Sequence, residues 1–376
     1  MTVSARLMVL GALVVAVAVT ETRAPGTLKD AYRGAFMIGA AVNVAQFTGQ
    51  DSGGAALVQT QFNSITPENV LKWENVHPRP DGYAFELPDQ YVEFGEQNRM
   101  FIVGHCLVWH SQVPAWVFRD ERGNLVDRQV LLKRMSDHIH TVVGRYKGRL
   151  KSWDVVNEAL NEDGTLRQSL WLKIIGEDYV AKAFEYAHEA DPQAELTYND
   201  YSLENQPKRN GAVALIAKLQ AQGIRVTSVG LQGHNSLTWP SVEQEDATIS
   251  DFAKLNIKVV ISELDIDVLP RATGQESADI TMNIKQDPKL NPYVNGLPDS
   301  VQEELAKRYA ELFGVYLNHR EVVQRVTFWG VTDGDSWRND WPVKGRTSYP
   351  LLFDRSGRPK PAFQAVVGRA GIGPKK

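Results

Sequence analysis

Two glutamates have the position and the neighbours expected of catalytic acids. Glu158 follows Asn157 in the apolar stretch DVVNEAL (154–160), and Glu263 lies in ISELD (261–265). An unpaired buried charge is costly, so a carboxylate at the end of an apolar strand needs a partner or a function. Two carboxylates that face one pocket can divide acid/base work, because one can donate a proton while the other stays ionised.

The elements that would carry these glutamates form a regular alternation. Apolar stretches of strand length recur between helical patterns, and strands this apolar are typical of a parallel sheet buried on both faces. The predicted strands are residues 36–42, 64–68, 100–109, 151–158, 195–200, 226–233, 258–265 and 326–333. The clearest predicted helices are residues 127–148, 176–192, 211–223, 245–256, 301–319 and 361–370.

Eight alternations of strand and helix predict an α/β fold, a (β/α)₈ TIM barrel in a single domain. A doubly wound open sheet is the alternative, but it would usually carry a glycine-rich phosphate loop after its first strand. The stretch IGAAVNVAQF (38–47) is not such a loop. One long segment, from Ile266 to Ser300, has little pattern, and loops of that length are usually functional or disordered.

In a barrel, chemistry collects at the carboxyl ends of the strands. Nearly every predicted strand delivers polar or aromatic groups there. They are Glu68, Asn69, Lys72, Trp73, His105, Trp109, His110, Gln112, Asn157, Glu158, Tyr198, Asn199, Asp200, Gln232, His234, Glu263, Asp265, Trp329, Asp333, Trp337 and Arg338.

Two carboxylates across a pocket of tryptophan, histidine and amide side chains suit glycoside hydrolysis. We expect Glu158 to be the proton donor, with a raised pKa, and Glu263 to remain ionised. Asp265 shares a strand face with Glu263, so His234 could bridge them. Asn157 could bond the sugar 2-hydroxyl, and Lys72 and His105 could hold other hydroxyls.

Two other classes of function remain open from the residues alone. Barrel metallohydrolases use a His-x-His pair on the first strand, but the only such spacing here is His138 and His140, inside a predicted helix. His105 and His110 lack the surroundings of a metal motif. A non-catalytic sugar-binding protein would need the tryptophans and amides but not both glutamates. We therefore expect no metal and no cofactor.

The composition of the chain limits its possible partners and its cross-links. The 376 residues carry a net charge of −4, which gives no electrostatic argument for nucleic acid or an anionic membrane. Cys106 is the only cysteine, so no internal disulfide forms, and we expect it to be a small buried hydrophobe.

The amino terminus resembles a secretory leader. Arg6 precedes an apolar run, residues 7–19, that is short for a membrane span and typical of a signal peptide. Cleavage could follow Ala24 or Ala18. We expect residues 1–24 to be a signal peptide and residues 25–376 the catalytic barrel, secreted or periplasmic and with no membrane contact once mature. The alternative is an apolar helix that the mature protein retains.

Seven motifs in order resemble glycoside hydrolase family 10, the β-1,4-xylanases, over about residues 28–370. The resemblance implies a retaining endo-xylanase that acts on xylan and xylo-oligosaccharides, with Glu158 as acid/base and Glu263 as nucleophile. We take the protein to be a monomer. The motifs are ITPENVLKW (65–73), GHCLVWHSQVP (104–114), WDVVNEAL (153–160), YNDY (198–201), GLQGH (230–234), ISELD (261–265) and FWGVTDGDSW (328–337).

The resemblance also implies a set of binding residues. Trp329 and Trp337 would crowd the C5 side of the sugar and so favour xylose over glucose. Asp265, Tyr201 and Arg338 would support the site. The substrate-binding residues would be Glu68, Asn69, Lys72, His105, Trp109, Gln112, Asn157, Gln232, His234, Trp329 and Trp337.

Retention predicts that the two carboxyl groups lie about 5–5.5 Å apart. Two features depart from the family pattern. Cys106 stands where threonine is more usual, and the segment from Ile266 to Ser300 is longer than in compact members. A β-1,4-glucanase and an exo-acting enzyme remain the alternatives within this chemistry.

Overall fold

A computed structural model describes residues 26–271, 280 and 284–371. The expected signal peptide, residues 1–24, lies outside the described residues. Parallel strands follow one another around a closed barrel, in which β1 pairs with β9 and β6 pairs with β8. The strands are β1 Met37–Val42, β2 Ser64–Pro67, β3 Phe101–Val108, β4 Ser152–Asn157, β5 Glu195–Asp200, β6 Ser228–Leu231, β7 His234–Ser236, β8 Lys258–Asp267 and β9 Val323–Phe328.

Helices lie between these strands along the chain. The α-helices are α1 Leu28–Ala31, α2 Val44–Phe47, α3 Ser52–Gln61, α4 Trp73–Val76, α5 Glu86–Gln97, α6 Arg128–Arg145, α7 Leu170–Ile175, α8 Tyr179–Ala190, α9 Gln206–Ala221, α10 Val242–Ala253, α11 Asp299–Asn318 and α12 Pro361–Ala370. Short 3₁₀ turns occur at Ala115–Val117, Pro288–Leu290 and Trp337–Asn339.

Closure confirms the predicted (β/α)₈ barrel and rules out the open sheet. Eight strands form the closed ring, and β7 is an additional short strand that pairs with β8. The strands are buried as predicted: in β8, Val259, Val260 and Ile261 have no exposed surface. Cys106 is buried in β3, and burial raises the pKa of its thiol, as expected of an inert core side chain.

The ends of several elements differ from the sequence prediction. β6 is the short Ser228–Leu231 rather than residues 226–233, and β9 begins at Val323 and ends at Phe328 rather than covering residues 326–333. β8 continues to Asp267, so the weakly patterned segment begins later than expected. The strand prediction for 329–333 was wrong because the residues after Phe328 form turns and loop structure at the barrel mouth.

Six predicted helices are confirmed with shifted ends, and six further α-helices of the described residues were missed. α6 begins after Asp127, whose side chain accepts a hydrogen bond from the backbone N–H of Val130, as an N-cap should. The longer missed helices are α3 and α5, and the short ones, of four to six residues, are α1, α2, α4 and α7. Within the described residues, none of the helices combines the length and the apolarity that a membrane span needs.

Candidate active site

An open cavity of about 700 Å³ lies at the carboxyl ends of the barrel strands. Both predicted catalytic residues and all eleven predicted substrate-binding residues line it. The only other lining residue among those described is Ile280, from the segment after β8. The lining residues are Glu68, Asn69, Lys72, His105, Trp109, Gln112, Asn157, Glu158, Gln232, His234, Glu263, Ile280, Trp329 and Trp337.

The backbone turns sharply at Glu158. Its φ is +57°, in the left-handed region that a residue with a side chain rarely adopts, directly after β4 ends at Asn157. Two contacts hold this turn: the N–H of Glu158 donates to the carbonyl of Asn199 (2.8 Å), and Arg167 Nε donates to the carbonyl of Glu158 (3.1 Å). Strained backbone of this kind persists where the surroundings fix a functional side chain.

The side chains that donate hydrogen bonds to the Glu158 carboxyl are neutral. Trp109 Nε1 donates to Oε2 (2.9 Å), while Gln232 Nε2 and Asn157 Nδ2 donate to Oε1 (3.1 and 3.2 Å). Burial and the negative charge of Asp200 raise the pKa of Glu158 to about 7, although the hydrogen bonds from Trp109 and Gln232 oppose this rise. A carboxyl with this pKa can hold a proton near neutrality and donate it.

Glu263 is equally buried, but its pKa moves the other way. His234 Nε2 lies 3.2 Å from Oε2, and Asn199 Nδ2 donates to Oε1 (2.7 Å). Burial alone would raise the pKa of Glu263, but the hydrogen bond to His234 and the electrostatic interactions with His105 and His234 lower it below its usual value. This carboxylate therefore stays ionised where Glu158 is protonated.

His234 lies between Glu263 and Asp265. Its Nδ1 is 3.1 Å from Asp265 Oδ1. Burial would lower the pKa of His234, but the two carboxylates raise it to about 9, so the imidazole is charged at neutral pH and donates to both. Asp265 in turn accepts from Arg338 Nε (2.8 Å) and Trp337 Nε1 (2.7 Å).

Side-chain amides connect the two carboxylates. Asn199 Nδ2 donates to Glu263 and also to Asn157 Oδ1 (2.8 Å), and Gln232 Nε2 lies 3.4 Å from the same Asn157 oxygen. Gly230 in β6 makes room for this arrangement, since a Cβ there would lie 2.1 Å from Asn199 Oδ1. Asn199 was absent from the predicted site residues, although its position at the end of β5, within YNDY, was a usable signal.

A buried lysine organises another part of the cavity. Lys72 Nζ donates to Asn69 Oδ1 (3.0 Å) and Gln112 Oε1 (2.8 Å), and it lies 5.0 Å from the centre of the Trp109 ring. Burial lowers the pKa of Lys72. Burial and the nearby Asp335 raise the pKa of Glu68 to about 7. This part of the cavity therefore offers both hydrogen-bond donors and acceptors to a polar ligand.

Aromatic rings line the remaining side of the cavity. Trp329 packs edge-on against His105, with 5.3 Å between ring centres, and Trp337 lies 4.8 Å from the ring of His234. Trp341 stacks on Trp337 at 4.4 Å. His105 Nδ1 is 2.9 Å from Asp154 Oδ2, which fixes the imidazole orientation.

The three predicted supporting residues do not line the cavity. Asp265 and Arg338 lie behind His234, as described above. Tyr201 lies behind Glu158, where its hydroxyl accepts from Arg167 Nη2 (2.8 Å) and Lys208 Nζ sits 3.5 Å from its ring centre. Tyr201 therefore contacts the side chain that holds the Glu158 backbone.

Histidines of the two pairs considered for metal binding make other contacts in the fold. His138 and His140 lie on α6, as predicted. His138 Nδ1 contacts His77 Nδ1 (3.2 Å), and His140 Nδ1 contacts the backbone oxygen of Ser136 (2.8 Å). His105 lines the active-site cavity from β3, where a carboxylate orients it. Among the described residues, no group of three or more histidine, cysteine and acidic side chains is placed to hold a metal ion.

A (β/α)₈ barrel with two buried carboxylates of opposed proton affinity at its mouth defines a glycoside hydrolase. A family model for glycosyl hydrolase family 10 matches residues 27–369, and the chain belongs to that family.

Several characterised relatives are similar over nearly the whole chain. Endo-1,4-beta-xylanase A of Xylanibacter ruminicola is 43% identical over 358 residues, covering 95% of this chain and 97% of the relative. Beta-1,4-xylanase of Dictyoglomus thermophilum is 40% identical and covers 91% and 90%. The solved structure of a GH10 endoxylanase from a sugarcane soil metagenome has a TM-score of 0.89 at 46% identity, covering 91% of this chain and 99% of that one.

Proposed function

We propose that the chain is a retaining endo-1,4-β-xylanase in which Glu263 is the nucleophile and Glu158 is the acid/base. The observation that carries this assignment is the pair of similarly buried carboxyls on one cavity, with the pKa of Glu158 raised to about 7 and that of Glu263 lowered. Family 10 is a retaining family, and the relatives cited above are an endo-1,4-beta-xylanase, a beta-1,4-xylanase and a GH10 endoxylanase.

In the first step, Glu263 attacks the anomeric carbon while Glu158 protonates the leaving glycosidic oxygen. One carbon–oxygen bond forms to Glu263 as the glycosidic bond breaks. In the second step, Glu158 removes a proton from water, which attacks the same carbon and releases Glu263. The two displacements together retain the anomeric configuration.

The neighbouring charges suit this exchange of roles. The negative charge of Glu263 is one of the causes that raise the pKa of Glu158. When Glu263 becomes an ester, that charge is gone, so the pKa of Glu158 falls and the residue becomes the base that the second step needs. The amides of Asn157, Asn199 and Gln232 link the two carboxyls. Retention predicts that these carboxyls lie about 5–5.5 Å apart.

Xylan is the substrate that suits the cavity. Asn157, placed between the carboxyls, can bond the sugar 2-hydroxyl, and Lys72 and His105 can hold other hydroxyls. Trp329 and Trp337 line the cavity, where they would crowd the C5 side of the sugar and so favour xylose over glucose. Glu68 and Asn69 bind the next sugar outward, while Trp109, Gln112 and His234 support the site.

The direct test replaces the nucleophile. We expect Glu263→Ala to lose at least about 10⁴-fold of kcat on xylan, because no covalent intermediate can form. The matched control is Glu321→Ala, which removes a carboxylate that is 90% exposed on the surface. Circular dichroism and thermal melting establish that both variants fold. Near-full activity of Glu263→Ala on xylan would end the assignment.

The products test the rest of the proposal. Early proton NMR spectra of a xylan digest should show the β-anomer first, as retention requires. Mostly short xylo-oligosaccharides indicate endo action, whereas xylose alone released from chain ends indicates an exo enzyme. Higher activity on glucans would favour a β-1,4-glucanase.

We further propose that the mature enzyme is secreted or periplasmic, acts as a monomer and begins after a leader of about 24 residues. The apolar run at residues 7–19 supports the leader. Mass spectrometry of the mature amino terminus tests this, and an intact residue 1 in the exported protein would contradict it. Light scattering tests the monomer.

A further inference from the structure

A buried salt-bridge network extends from the nucleophile to a loop that follows β9. Its six members alternate in sign, so that each charged group contacts one of opposite charge. The network consists of Glu263, His234, Asp265, Arg338, Asp267 and Arg346. All six are less than a tenth exposed.

The far end of the network is Arg346. Its Nη2 lies 2.8 Å from Asp267 Oδ2, and Arg338 Nη1 lies 3.4 Å from the same oxygen. Arg338 Nε donates to Asp265 Oδ1 at 2.8 Å, and Asp265 holds His234. Arg346 is thus separated from His234 by three intervening side chains and does not line the active-site cavity.

A network of this kind is sensitive to the loss of one member. Burying a charge costs several kcal/mol unless an opposite charge compensates it, and charges interact over longer distances where water is excluded. The six groups sum to zero when His234 is protonated. Removing Arg346 therefore leaves Asp267 as an excess negative charge that only Arg338 can compensate, at the expense of Asp265.

The long segment after β8 holds the loop that presents Arg346. The N–H of Ile284 donates to the carbonyl of Pro342 (2.9 Å), and Gln286 Nε2 donates to the carbonyl of Lys344 (2.8 Å). Asn291 Oδ1 accepts from the N–H of Thr347 (2.9 Å). Residues 284–291 therefore fasten the loop on both sides of Arg346.

We propose that Arg346 is a positioning residue for the nucleophile, acting through Asp267 and Arg338 on the Asp265–His234 pair, and that residues 284–291 hold it in place. This inference rests on the proposed function, in which Glu263 is the nucleophile. It assigns to the long segment after β8 a part in the chemistry, although its described residues, except Ile280, lie outside the cavity.

The network predicts opposite effects for substitutions of the two members farthest from Glu263. Arg346→Met leaves an excess negative charge, which raises the pKa of Glu263 and moves the acid limb of the kcat/KM profile to higher pH. Asp267→Asn leaves an excess positive charge and moves that limb to lower pH. The other charged groups that face Glu263 are His105 from β3, Glu158 after β4 and Lys72 after β2, and they are the same in every variant.

The experiment measures kcat/KM on a soluble xylo-oligosaccharide from about pH 3 to pH 8 for both single variants and the double variant. We expect shifts of roughly half a pH unit in opposite directions, and a double variant close to the parent enzyme. Arg346→Lys should restore most of the parent profile. Recovery of activity after return to neutral pH separates titration from acid unfolding.

Two further variants keep the test decisive. Arg358→Met is the matched control, because Arg358 pairs with Asp354 at the surface and is 80% exposed, and its profile should match the parent enzyme. Gln286→Ala removes one fastening of the loop, and it should shift the acid limb in the direction of Arg346→Met by a smaller amount. If Arg346→Met fails to fold, Gln286→Ala provides the test in its place.

The outcomes separate this inference from the proposed function. If Glu263→Ala is inactive but Arg346→Met and Asp267→Asn leave the limb unmoved, or move it in the same direction, the positioning role is wrong and the nucleophile stands. If Glu263→Ala keeps its activity, the proposed function itself fails.

Discussion

The two proposed catalytic carboxyls have similar burial and opposite electrostatic surroundings. Glu158 is 4% exposed and Glu263 is 5% exposed. Neutral indole and amide groups donate to Glu158, whereas a charged imidazole, backed by the salt-bridge network, donates to Glu263. Burial therefore does not decide which carboxyl keeps its proton; the formal charge of the neighbours does.

The local sequence around each glutamate accounts for this difference. In β8, Glu263, Asp265 and Asp267 occur at every second position, so regular strand geometry directs them to one face. Acidic side chains at that spacing must recruit cations, and His234, Arg338 and Arg346 supply them. Glu158 instead follows the end of β4, where the charged group that shifts its pKa most is the like-charged Asp200.

The largest expected effect concerns the proton that only Glu158 supplies. Glu158→Ala should lose about 10³-fold or more of kcat on xylan, where the leaving sugar oxygen needs protonation. An aryl xylobioside with a good leaving group needs no such help, so formation of the glycosyl-enzyme should be nearly unaffected. Stopped-flow measurement of the released phenol checks this. The expected result is a fast burst followed by slow turnover.

The comparison of the two carboxyls depends on whether each substitution affects xylan and the activated substrate differently. Glu263→Ala should abolish the burst for every substrate, because the nucleophile serves good and poor leaving groups alike. Equal losses of Glu158→Ala on xylan and on the activated substrate would mean that the two carboxyls do not have different roles.

A smaller effect is expected when the positive charge of His234 is removed but its hydrogen bond to Glu263 is kept. His234→Gln leaves a donor near Glu263 without a positive charge, so the pKa of Glu263 should rise and kcat should fall roughly tenfold to a hundredfold. The acid limb of the pH profile should move upward, because the nucleophile must be ionised.

The matched control for this change is His140→Gln. His140 is a half-exposed histidine on α6, far from the site in its contacts, and its replacement should leave the pH profile unchanged. A normal acid limb in His234→Gln would show that hydrogen bonding, rather than charge, keeps Glu263 ionised.

The sequence was sufficient to predict the ring of polar groups at the barrel mouth. Each proposed catalytic glutamate ends or interrupts an apolar strand, and parallel strands in a closed barrel bring their carboxyl ends together. The link from Asp265 to Glu263 also follows from strand spacing alone. For these residues, local pattern and barrel topology fix the position of the side chain.

Other features depend on contacts that no local pattern reveals. Arg346 binds Asp267, which lies 79 residues earlier in the sequence. The loop that carries Arg346 has no regular structure to predict. α3 was missed because Gly53 and Gly54 in its first turn weaken the helical pattern. α5 contains Pro88, which reads as a helix breaker in a sequence but is tolerated in the first turn.

The smallest expected effect is on the basic limb of the profile, which belongs to Glu158. Activity should fall as pH rises through about 7, because the proton donor is then lost. The indole N–H of Trp109 stabilises the charged carboxylate, so Trp109→Phe should raise the pKa of Glu158 and move this limb upward by roughly half a unit. The acid limb should stay in place, since Trp109 does not contact Glu263 in the described structure.

The control for Trp109→Phe is Trp116→Phe, which removes an indole N–H that donates to the carbonyl of Pro78 instead. Its two limbs should match those of the parent enzyme. Arg346→Met moves the acid limb and Trp109→Phe the basic limb, so the two variants test the two electrostatic environments independently. If Trp109→Phe moved both limbs together, the carboxyls would titrate as one coupled pair, and the neutral and charged surroundings would not act separately.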